Sequence, residues 1–104
     1  MDLIVECYRL TQRLPPNEQY GLASQIRRSA VSVPANIAEG FGRWHSKEFV
    51  RFLLMANGSL KELETHILIG KRLSFFGAAA TSTALKLSEE IGRMIASLRQ
   101  KLRA

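Results

Sequence analysis

The chain has 104 residues, 46% of them hydrophobic and 23% charged, which is the balance of a globular protein and excludes a disordered tail. A chain of this length fits one domain, spanning 1–104, and buries roughly 60 to 70% of its unfolded surface without disulfide or metal staples. Fifteen Lys and Arg against nine Asp and Glu give a formal charge of +6 and a pI of about 10.1, a positive field that draws nucleic acid and other polyanions by releasing their counterions.

The first periodic segment places Leu3, Cys7, Leu10 and Leu14 on one face, flanked by Ile4 and Thr11, with Arg9 and Arg13 off it, and so predicts an amphipathic helix. Asp2 and Glu6 stand where a secretory signal needs a basic start and an apolar run. The single cysteine, Cys7, has no partner for an internal disulfide and favours a reducing, cytoplasmic setting. Pro15 and Pro16 cannot continue a helix, because the amide hydrogen is missing and the preceding residue is pushed extended. The first helix is therefore expected to end near Leu14.

Pro16, Asn17 and Glu18 combine a residue preset for a first helical turn, a capping amide and a carboxylate facing the positive helix end, so a second helix is expected to start there. Its apolar set is Leu22, Ile26, Ala30, Val33, Ile37 and Phe41. Beside that seam runs a stripe of Gln25, Ser29, Ser32, Asn36 and Glu39, short and mostly uncharged for a solvent face. Pro34 lies inside the periodic run, which predicts a kink at a cost of about 3 kcal/mol, with Ser29 and Ser32 hydroxyls satisfying nearby carbonyls that the missing donor leaves free. Gly40 and Gly42 are expected to end the helix through the left-handed conformation that glycine adopts cheaply.

Ser46, Lys47 and Glu48 read as an N-cap and acidic first turn of a third helix. Its apolar face is Phe49, Phe52, Leu53, Ala56, Leu60, Leu63, Ile67 and Leu73, and the small residues Ala56, Gly58 and Ser59 are expected to permit a close helix crossing. Val50, Leu54 and Leu68 exceed a narrow seam and must face loops or another subunit. Ser74 to Gly77 makes a turn. The fourth helix starts weakly over Ala78 to Ser82 and carries a seam of Leu87, Ile91, Met94, Leu98 and Leu102. No uncharged run approaches the ~20 apolar residues of a membrane span. Four such segments joined by short turns predict an all-α, antiparallel up-down four-helix bundle with the second helix kinked at Pro34.

Catalytic and metal chemistry find little support in these residues, and no enzyme, cofactor or metal is expected. Glu62 and His66 are four apart rather than in the three-residue spacing of bundle metal sites, with no second such pair, and Cys7 lies on a core seam. The Gly40-Phe41-Gly42-Arg43 string lacks the third glycine of a dinucleotide fingerprint and the Lys-Ser/Thr ending of a P-loop. Free amides at the start of the third helix, with Arg43 and Lys47, remain a candidate anion site. Arg43, Lys47 and Arg51 recur every four residues beside Trp44, offering charge for phosphates and a ring for stacking; the competing reading has Trp44 buried over Phe49 or in a subunit contact. Arg93, Arg99, Lys101 and Arg103 add a second basic run without an acid. Arg27 and Arg28 have a competing role as oligomer contacts to Glu39 or Glu48 of a neighbour.

The residues Tyr8-Arg9-Leu10-Thr11, Gly21-Leu22, Gln25 with Arg27-Arg28, Ser32, Asn36-Ile37-Ala38-Glu39-Gly40, Arg43, Phe52-Leu53, Gly58-Ser59 and Glu62-Leu63 closely resemble the bacterial four-helix-bundle family named for open reading frames in intervening sequences of large-subunit ribosomal RNA genes. The resemblance runs from about Tyr8 to Leu73 and implies a four-helix protomer in a ring, with five subunits the expected number. The accessory variability proteins of diversity-generating retroelements are similar in fold and assembly, and those bind nucleic acid and a reverse transcriptase through a basic surface. Gln25, Arg28, Ser32, Asn36, Glu39 and Arg43 match the family pattern as polar contacts within and between subunits. The expected function is that of a non-enzymatic, homo-oligomeric, cytoplasmic bundle binding RNA or DNA; the alternative is a structural or protein-partner scaffold without nucleic acid. A membrane partner is not expected.

Overall fold

A computed structural model of the chain describes residues 2–43 and 45–103. It contains helices α1 (Asp2–Gln12), α2 (Leu22–Phe41), α3 (Ser46–Arg72) and α4 (Ala78–Arg103), with one 3-10 turn at Pro16–Glu18. No strand occurs among the described residues, so the fold is the all-α bundle that the periodicity predicts. The 27 residues of α3 span ~40 Å at 1.5 Å per residue, close to the 45 Å long dimension of the molecule.

The α1 seam is buried as expected, with Leu3, Cys7, Leu10, Thr11 and Leu14 all inside. The chain then departs from expectation, because Pro16–Glu18 closes only a single tight turn, through Glu18 N–H to Pro15 O at 2.9 Å and Gln19 N–H to Pro16 O at 3.2 Å. The second helix begins at Leu22, after Gly21 at φ −102°, ψ −105°. Local capping preference alone does not sustain a helix whose first turns bury nothing, and the 3-10 turn buries no residue.

Helix α2 runs without a break through Pro34. Its serines do different work from that predicted. Ser29 Oγ donates to Gln25 O at 2.7 Å, while Ser32 Oγ pairs with Ser59 Oγ on α3 at 2.8 Å. Neither reaches the Ala30 carbonyl, the one that Pro34 deprives of an amide. The glycines also differ from expectation: Gly42 is right-handed at φ −75°, and no described glycine has positive φ. Gly40 is there for space, since a Cβ on it would lie 2.7 Å from Phe49 Cδ1 and 3.0 Å from Phe52 Cβ. Phe41, expected on the seam, is 65% exposed and is the last residue of α2.

Helix α3 buries Phe52, Leu53, Ala56, Leu60, Leu63 and Ile67 along one side. Its N-cap is His45, which makes no side-chain capping bond, so Ser46 is the first helical residue rather than the cap. Leu73 lies at the C-cap and is exposed. Gly58 faces open space, with nothing within 4 Å of a Cβ built there, so close packing does not explain it within the protomer. The tight approach falls at Gly70, whose side-chain position is taken by the Phe76 ring. The helix ends in a Schellman turn: Phe75 N–H donates to Gly70 O at 2.9 Å and Ser74 N–H to Lys71 O at 3.0 Å, with Ser74 at φ 65°. That geometry satisfies the last carbonyls and usually carries glycine.

Along α4 the innermost positions are Thr81, Ala84, Ser88 and Ile95. The predicted seam of Leu87, Ile91, Leu98 and Leu102 is only partly buried, and Met94 is exposed. Three of these four innermost side chains are small, and the larger ones of the predicted seam flank them.

Candidate nucleic-acid interface

The end of α2 and the start of α3 are held together by aromatic rings, and the basic residues of the 43–51 stretch are built on them. Arg43 and Arg51 both place their guanidinium carbon 5.0 Å from the centroid of the buried Phe52 ring, which is cation–π distance. Each is also paired to a glutamate of its own helix region: Arg43 Nη2 lies 2.7 Å from Glu39 Oε1 and Arg51 Nη2 3.1 Å from Glu48 Oε2. Lys47 is exposed and has no ion-pair partner among the described residues. All of these groups are reached by solvent, so the two ion pairs are weak and a phosphate can compete for the arginines. Trp44, the ring expected to stack, lies outside the described residues. The ring that does reach solvent on this edge is Phe41, resting on Phe49 with centroids 4.8 Å apart and planes at 48°.

The second basic run divides. Arg93 lines a groove between α3 and α4 together with Asn57, Lys61, Glu64, Ser88 and Ala96. Since Asn57 and Lys61 meet Ala96, Arg93 and Gly92 there, residue numbers rise along α4 as they fall along α3. Continuing that register puts Arg99 and Lys101 level with the turn of α3 that holds Arg51 and Phe52. Lys101 is exposed and Arg99 half-buried, with the Arg99 Nε buried and without a hydrogen-bond partner among the described residues. Arg103 is the last residue of α4, and its side chain lies outside the described residues. That register sets Arg99 and Lys101 at the height of Arg51 along the bundle and Arg93 near its middle, while Arg43, Lys47 and Arg51 stand at the α2–α3 turn.

Of the polar stripe of α2, Ser32 bonds α3 directly through Ser59, and Gln25 reaches it through Arg28. Arg28 donates to Gln25 Oε1 at 3.2 and 2.8 Å and makes a close ion pair with Glu62 Oε1. The same Glu62 oxygen lies 3.5 Å from His66 Nε2. One turn on, Asn36 Nδ2 donates to the Ser32 carbonyl at 2.8 Å and approaches the Ser32 hydroxyl, itself bonded to Ser59, at 3.0 Å. Arg27 is engaged with Thr11, Gln19 and the Tyr8 ring. Both arginines thus have partners within their own protomer. Glu62 as the hub of this network was not legible as such, because its partner Arg28 is 34 residues away. Phe41 had a visible signal, its place two residues before Arg43, which the apolar phase of α2 concealed.

Elsewhere, burial with Glu6 alongside pushes the Cys7 thiol up to about 12, which keeps it protonated and unreactive near neutral pH. Among the described residues no three His, Cys, Asp or Glu side chains cluster as metal ligands, and no helix is long and apolar enough to cross a membrane.

A four-helix fold whose distinctive surface is a set of arginines and lysines around exposed and buried rings defines a basic helical-bundle protein. Its sequence matches the family described as 23S rRNA-intervening sequence protein over residues 1–97, and the chain belongs to that family. A crystal structure of a protein of unknown function from the S23 ribosomal protein family of Bacteroides thetaiotaomicron superposes with a TM-score of 0.85 at 25% identity, covering 94% of this chain and 92% of the other. No curated protein matches the chain.

Proposed function

We propose that the protein is a non-enzymatic, homo-oligomeric bundle that binds nucleic acid through Arg43, Lys47 and Arg51 with Arg99, Lys101 and Arg103, as an accessory to a nucleic-acid enzyme such as a reverse transcriptase. The observation that carries the reading is charge placement. The last run of α4 holds four basic residues and no acid, and its end is level with the α3 turn that bears Arg51. Phosphates brought to such a surface release counterions, and affinity then falls steeply with salt. The test is fluorescence anisotropy of labelled RNA and DNA across a salt series. Each neutralised phosphate is expected to contribute a log–log slope of about −0.7 to −0.9, and a Lys47→Ala, Lys101→Ala double variant is expected to flatten it. No binding at low salt refutes the reading.

Assembly is part of the same proposal. Leu54 and Leu68 stay exposed on α3, as do Ile69 and Leu73, and burying them against a second copy removes apolar surface from water. Five subunits is the number that the family resemblance implies. Light scattering that gives a monomer at micromolar concentration refutes assembly. One observation favours a scaffold without nucleic acid: Arg28, Arg43 and Arg51 are already paired with glutamates. On that reading, pull-downs recover a protein partner whose retention is insensitive to nuclease.

A further inference from the structure

Resting on the proposed nucleic-acid binding, we infer that the bound strand is single and that Phe41 is the ring on which one of its bases stacks. Phe41 is the last residue of α2 and among the most exposed apolar side chains of the molecule, at 65%. It is also held in place. Phe49 supports it from the first turns of α3, and Phe49 in turn packs on the core and occupies the space beside Gly40. A ring fixed on one side and open on the other offers a stacking surface at small entropic cost.

The charges around it leave a role for the ring beside that of phosphate attraction. At this edge Glu39 pairs with Arg43 and Glu48 with Arg51, and Lys47 has no ion-pair partner among the described residues. The net attraction for phosphate is therefore modest, and exposed ion pairs of this kind are easily screened. Stacking supplies a term that salt does not screen and that tolerates any base. In a duplex the base faces are occupied by their neighbours, so the ring finds no free face there. Selectivity for single strands or unpaired loops follows from that difference.

The test uses the full-length protein and three labelled probes: an oligothymidylate, an abasic strand of equal length, and a duplex of equal length. The wild type is expected to bind the oligothymidylate about five- to tenfold more tightly than the abasic strand, the lower end of what base–ring stacking provides. Phe41→Leu, which keeps an apolar contact with Phe49, is expected to abolish that preference, and Phe41→Tyr to retain it. Lys47→Ala is expected to weaken all three probes alike. Equal affinity of the wild type for base-bearing and abasic strands overturns the stacking role while leaving nucleic-acid binding intact. A Phe41→Leu variant that retains the preference, or that changes only the mass seen by light scattering, overturns it too and marks Phe41 as a subunit contact. Failure of the wild type to bind any probe at low salt refutes nucleic-acid binding itself, and the stacking role with it.

Discussion

Gly40 and Gly58 carry the same residue in helical conformation, and the same substitution is expected to move them in opposite directions. Replacing glycine by alanine inside a helix gains about 1 kcal/mol from the reduced backbone entropy of the unfolded chain. At Gly58 nothing lies within 4 Å of the new methyl, so that gain should be realised in full. At Gly40 the methyl would sit 2.7 Å from Phe49 Cδ1 and 3.0 Å from Phe52 Cβ. Phe52 is buried and carries two guanidinium groups, so it has little room to yield. Overpacking of this kind costs about 1–3 kcal/mol, which leaves Gly40→Ala destabilised by up to about 2 kcal/mol after the helical gain. The two variants should therefore differ by about 1–3 kcal/mol. Urea unfolding followed by far-UV circular dichroism, at matched protein concentration so that association does not enter, reads this as a shift in midpoint at constant slope. Gly40→Ala unfolding at the same urea concentration as Gly58→Ala, or above it, would refute the assignment of Gly40 to steric need.

Three further outcomes follow from the same geometry. Ser74, at φ 65° in the turn after α3, should be improved by Ser74→Gly by about 0.5 kcal/mol, because the left-handed penalty outweighs the entropy that glycine loses; a lowered Tm would contradict this. Cys7, with its thiol pushed up to about 12, should react with a thiol reagent at mildly alkaline pH only as fast as the protein unfolds. The sign of the linkage is that this stabilisation is complete below the ordinary thiol pKa near 9.0 and is lost as pH rises from there towards 12; fast labelling of the native protein would refute the burial. Ser32→Ala should cost about 1 kcal/mol by leaving Ser59 and Asn36 short of a partner. The Ser32→Ala, Ser59→Ala pair should then cost less than the sum of its singles, and strict additivity in a double-mutant cycle would mean that the hydroxyls do not bond.

The amino-acid sequence by itself determined that four helices form and which broad face α1 and α3 bury. Leu3, Cys7, Leu10 and Leu14 repeat at helical spacing and are buried, Pro15 and Pro16 stop α1, and the α3 seam from Phe52 to Ile67 is the one the spacing predicts. These are local properties, set by the period of the chain and by the chemistry of a proline ring. The basic edge was legible for the same reason, since Arg43, Lys47 and Arg51 recur in a single stretch.

What the tertiary structure decided is how near one helix comes to another at each position, and that distance belongs to two segments far apart in the chain. It makes Gly40 and Gly70 obligatory and Gly58 free. It turns Ser32 toward Ser59, joins Arg28 to Glu62, and leaves the small residues Ala84 and Ser88 innermost on α4. It also leaves Phe41 at the surface on the rim of the basic edge. Spacing along one helix names a face, but only the second helix says which residue on that face has no room.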